Sequence, residues 1–128
     1  MSGLVAALQF LMKMMGVPPV SHEAALRAWM RRLARRLQGI ASYIQLTKDP
    51  NDVEWDDRLA NGLAGAIENE FFWAFFFALL NRLSPDDEVV IGADEPAIVQ
   101  VATTAGISPL DIIAIIKAIL DILKMFRR

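Results

Sequence analysis

Acid–base chemistry in this chain would have to run on carboxylates, because the other usual groups are nearly missing. There is one histidine, His22, and no cysteine. Without thiols, disulfides, zinc–thiolate sites and cysteine nucleophiles are excluded. A single imidazole makes neither a zinc ligand set nor a Ser-His-Asp triad. His22 stands beside Glu23 where a helix is expected to begin, and it reads as a solvated first-turn residue. Glu68 and Glu70 are two positions apart, so on a helix they point away from each other and do not form an acid–base pair. No Gly-rich phosphate loop of the GxGxxG or GxxxxGK[ST] kind is present. The expectation is therefore a protein that is not an enzyme, with no catalytic residues, no metal ligands and no cofactor site.

Glu70 is still the acid of most interest. The apolar stripe Leu59, Leu63, Ile67, carried on by one turn, passes close to it, and Phe71 follows directly. A carboxylate buried there would need a partner or a raised pKa. The expected partner is an arginine, within the subunit or across an interface; the other reading of Glu70 is a solvent-facing residue at the bundle end. Arg27, Arg31, Arg32, Arg35 and Arg36 lie opposite the apolar stripe Leu26, Trp29, Met30, Leu33, Leu37 of one helix. A basic face of this kind is either solvated or binds nucleic acid, anionic lipid or an acidic partner. The chain supplies an acidic counterpart in Asp86, Asp87, Glu88, Asp94 and Glu95, and the two segments are expected to meet.

The segment Val101-Ala102-Thr103-Thr104-Ala105-Gly106-Ile107-Ser108 resembles the centre of a helix-turn-helix. The resemblance covers Ile98 to Lys117 and implies a tight αα corner. The exposed face of its second helix would offer Ser108, Pro109, Leu110, Ile113 and Ala114, with no Arg, Lys, Asn or Gln to meet base edges. Asp111 would repel phosphate. Nucleic acid is accordingly the least favoured partner among the interaction readings.

The elements that carry these residues are all helical. Apolar spacing and capping signals predict helices over about 2–15, 22–46, 53–82, 95–105 and 109–126. The first ends at Gly16-Val17-Pro18-Pro19. Ser21 is the expected N-cap of the second, and Asn51 with Glu54 has capping-box spacing for the third. Gly62 and Gly65 leave the first half of the third helix thin enough for close approach. Its second half, Phe71 to Leu80, is apolar on every side, as expected at a bundle centre or in an interface. Asp94 is expected to cap the fourth helix, and Ser108-Pro109 to open the last. Lys124, Arg127 and Arg128 suit the negative end of that last helix. Ser84 to Glu95 should be a loop or a single helical turn.

Together these predict one all-α domain over 1–128, a helical bundle of four to five main helices with a C-terminal helical hairpin. The apolar fraction is 55% and the mean hydropathy is +0.36. Soluble domains hold about 45–50% apolar residues, and the excess suggests an interface. The run Phe71–Leu80 is too short to span a bilayer, and the segment before Gly16 lacks a basic leader region, so a cytoplasmic location is expected.

The leading functional expectation is a helical interaction or assembly protein. It would self-associate, most simply as a dimer, or bind another protein through apolar helix faces. Phe72, Trp73, Phe76, Ile116 and Ile119 are the expected anchors. One alternative is a peripheral membrane protein, with an amphipathic helix on the bilayer and the arginine face near anionic headgroups. Another is a small nucleic-acid-binding regulator built on the helix-turn-helix-like hairpin.

Overall fold

The computed structural model describes residues 3–39 and 57–127. These residues form six helices and no strand, in the order α1 (Gly3–Met15), α2 (Glu23–Gly39), α3 (Asp57–Glu68), α4 (Glu70–Arg82), α5 (Pro96–Ala105) and α6 (Pro109–Leu123). A 3-10 turn, Lys124–Phe126, follows α6. The expected extension of the second helix to 46, the turn after it and the Asn51–Glu54 capping box lie outside the described residues.

One expected helix is two. The span over 53–82 breaks at Asn69, and its halves are bent by 85° from each other. Asn69 is the N-cap of α4, in extended backbone, and its Oδ1 accepts from Phe72 N at 2.9 Å. Asparagine favours this role because its side chain satisfies an N–H that the first turn leaves free. The bend lets α3 and α4 bury their apolar faces in one core. A straight thirty-residue rod would reach roughly 45 Å, beyond the core of so small a chain.

The hub is α3, the first half of the long helix expected over 53–82. It packs against α2, α4, α5 and α6. Gly62 makes this possible: a Cβ there would lie 2.8 Å from Ile107 Cδ1 and 3.3 Å from Ala105 Cβ. Gly65 has no such neighbour within 4 Å, so only one of the two glycines serves close approach. One buried cluster runs through the helices, from Leu8 in α1 to Leu123 at the end of α6.

The C-terminal hairpin forms as expected. Gly106 adopts φ +70°, and Ile107 N donates to Ala102 O at 3.1 Å, which closes α5 with a left-handed cap. Ser108 Oγ accepts from Leu110 N and caps α6. Two expected caps move by one residue. α2 begins after His22, whose carbonyl accepts from Leu26 N, rather than after Ser21. α5 has Glu95 at its N-cap with no side-chain bond, in place of Asp94.

Candidate interaction site

The polar chemistry of the molecule gathers at the α3–α4 corner. α2 runs antiparallel beside α3, with Gln38 Nε2 donating to Asn61 Oδ1 at 2.8 Å near one end and Arg31 bonded to Glu68 near the other. This register brings Arg27 to the bend. Its Nε donates to Ile67 O at 3.0 Å, one of the carbonyls that α3 leaves free at its end. Its Nη1 lies 2.7 Å from Glu70 Oε1 in the first turn of α4. Its Cζ sits 5.6 Å from the centre of the Trp73 ring, one turn further on. Trp73 Nε1 in turn donates to Glu23 Oε1 at 3.2 Å.

Arg27 and Glu70 are therefore a pair, in which the arginine, and not the carboxylate, is the more buried partner. The Glu70 side chain is 82% exposed and that of Arg27 only 13%. The apolar stripe of α3 does not continue through Glu70, because the break at Asn69 resets the helical phase. Arg31 and Glu68 make a second, more exposed pair, both guanidinium contacts going to the carboxylate. The Arg31 hydrogen bond holds the Glu68 carboxyl below the usual carboxylate range, and raises Arg31 in return. Solvent screens such a pair, so its contribution to stability is small.

The acidic segment lies elsewhere. Arg27 and Arg31 spend their charge at the corner, Arg35 is exposed on the α3 side near Glu68, and Arg32 and Arg36 are exposed on the other side of α2. Asp86, Asp87, Glu88 and Asp94 are also exposed, beyond the far end of α4, and Glu95 is half-buried. Asp87 is engaged locally: its Oδ2 accepts from Ser84 N at 2.8 Å, and its carbonyl accepts from Lys124 Nζ. Lys124 also pairs with Asp121 at 3.2 Å. Arg127 does not serve its own helix. Its Nη1 donates to Leu80 O and Leu83 O, each at 2.7 Å, and closes the C-terminal end of α4.

The five expected interface anchors are in the interior. Phe72, Trp73, Phe76, Ile116 and Ile119 are all buried within this one chain, Trp73 being the most exposed at 2%. Phe72 and Trp73 each stack on Phe76, at 6.1 and 5.5 Å between ring centres. Bending the long helix folds Phe72, Trp73 and Phe76 into the core, and Ile116 and Ile119 meet the same core from α6, so none of the five has surface to give a partner.

No family model, curated protein or solved structure matches the chain.

The open apolar surface is at α1 and the C-terminal turn. Met12, Gly16 and Val17 on one side and Ile122, Met125 and Phe126 on the other line a groove of about 550 Å³, with Gln9 and Lys13 along it. Val17 is 75% exposed, Met125 61% and Phe126 44%. Met125 and Phe126 fall at the end of the helix expected over 109–126, but α6 ends at Leu123 and both lie exposed in the 3-10 turn that follows it.

Among the described residues no three His, Asp or Glu side chains converge as metal ligands would. His22 is exposed at the start of α2. No single described helix is long and apolar enough to cross a membrane.

Proposed function

We propose that this chain is a non-enzymatic helical interaction protein that associates with a second copy of itself through the groove between α1 and the C-terminal turn. What carries the reading is the exposure of Val17, Met125 and Phe126 around one apolar cavity. Exposed apolar side chains scattered singly are ordinary, but several gathered around one groove mark a contact surface. Methionine suits such a surface, since its flexible thioether adapts to a partner's shape. The 55% apolar content points the same way, because a chain of this size has little interior in which to hide an excess.

Size-exclusion chromatography with light scattering tests the reading. The wild type is expected to run as a discrete dimer that dissociates on dilution. Phe126→Asp and Val17→Asp should run as monomers with unchanged helical circular dichroism, since both side chains already face water. A wild type that stays monomeric at every concentration would sink the proposal.

A further inference from the structure

A second face of α1 carries different chemistry. The chain is net −2, yet residues 1–39 hold six Lys and Arg against a single acid, Glu23. On α1 the core takes Leu8, Leu11 and Met15, and the groove takes Gln9, Met12, Lys13 and Gly16. Phe10 and Met14, one turn apart, fall on the remaining arc and are 62% and 58% exposed. α2 packs against α1. Arg27 and Arg31 turn toward α3. At about 100° per residue, Arg32 and Arg36 then fall on the flank turned away from α3. Both are exposed. Glu23 is drawn away from this flank by its bond with Trp73.

The α1–α2 pair thus presents two large apolar side chains in water, with Lys13 on the same helix and exposed Arg32 and Arg36 on the helix packed against it. We propose that the face formed by Phe10 and Met14 with Lys13, Arg32 and Arg36 docks the protein on an anionic lipid surface. Apolar side chains entering the headgroup boundary, with cations held at the phosphates, are the two parts of interfacial binding. A second copy fits this face poorly, because a symmetric contact would set its cations against themselves. A nucleic acid would engage the arginines and leave Phe10 and Met14 in water. The face goes beyond the self-association groove, with which it shares only Lys13; none of Phe10, Met14, Arg32 and Arg36, the residues tested, lines that groove, so the two proposals fail separately.

Co-sedimentation of the full chain with lipid vesicles is the test. Vesicles of phosphatidylcholine alone are compared with vesicles that also contain phosphatidylserine. The chain is expected to pellet with the anionic vesicles only, and less so as salt is raised. Each cation near such a surface contributes about fivefold in partitioning, so Arg32→Gln with Arg36→Gln should lower it roughly twentyfold. Phe10→Ser with Met14→Ser should lower it about tenfold or more. All four side chains face solvent, and light scattering should find both variants in the wild-type oligomeric state. Equal pelleting with both vesicle types, pelleting with neither, or no effect of the arginine substitutions would overturn the proposal. So would salt-dependent binding to duplex DNA that the arginine variant loses and the Phe10–Met14 variant keeps.

Discussion

Arg27 does three things at once. It satisfies a free carbonyl of α3, neutralises a carboxylate of α4 and covers a tryptophan face. A planar fork with several donors can do this, and the single ammonium of lysine cannot. The two halves of the Arg27–Glu70 pair should therefore behave unequally. Arg27→Ala is expected to cost roughly 2–3 kcal/mol, because it leaves Ile67 O unsatisfied and opens a gap over Trp73. Arg27→Lys should recover little of that. Glu70→Gln should cost about 0.5 kcal/mol or less, as for other solvent-exposed pairs. Urea denaturation of the three variants measures this. Equal losses for Arg27→Ala and Glu70→Gln would mean that the ion pair, and not the buried guanidinium, holds the corner.

α4 is the element that most needs outside help. It is apolar on nearly every side, so its fold is fixed by what meets its two ends. Asn69 and Arg27 hold the N-terminal end, and Arg127 holds the C-terminal end from forty-odd residues away in sequence. Asn69→Ala removes the cap and should destabilise the protein by about 1 kcal/mol, within the range of roughly 0.5–2 kcal/mol seen for N-caps. Asn69→Asp should keep most of the stability, because a carboxylate oxygen can accept from Phe72 N and suits the positive helix end. Thermal unfolding of both variants checks the pair. If alanine and aspartate cost the same, the corner is held by Arg27 and packing alone.

Across the whole molecule, the same buried cluster joins the first helix to the last. Trp29 and Trp73 sit inside it, on α2 and α4. Loss of helix, read by far-UV circular dichroism, and loss of tryptophan burial, read by fluorescence, should therefore follow one denaturant curve. Two separated transitions would mean that the α1–α2 hairpin and the α3–α6 unit unfold independently. Charge is unevenly divided on the same scale: residues 1–39 hold six of the thirteen cations and one of the fifteen acids. That division gives the lipid-facing proposal its direction, and the groove on the other side of α1 gives the self-association proposal its place.

The sequence by itself determined the helices, most of their ends and the tight α5–α6 corner. Apolar period, proline and glycine act over a few residues, and Gly106 and Ser108 do in the structure what their types predict. The absence of thiols and the single histidine were equally plain. The break at Asn69 was weakly marked: the polar run Glu68-Asn69-Glu70 between two apolar stretches was its only local signal. Whether such a run ends a helix or merely faces water depends on what packs against both halves. Tertiary structure alone decided which apolar residues became core and which became surface. Phe72, Trp73, Phe76, Ile116 and Ile119 are the kind of residues that anchor interfaces, but an 85° bend carries the first three inward on α4, and the packing of α6 buries the two isoleucines. Phe10, Met14, Met125 and Phe126 are no more apolar, yet they remain outside. Hydrophobicity says that a side chain gains by leaving water. It does not say which neighbour will cover it, because that depends on helix directions set by contacts far apart in the chain.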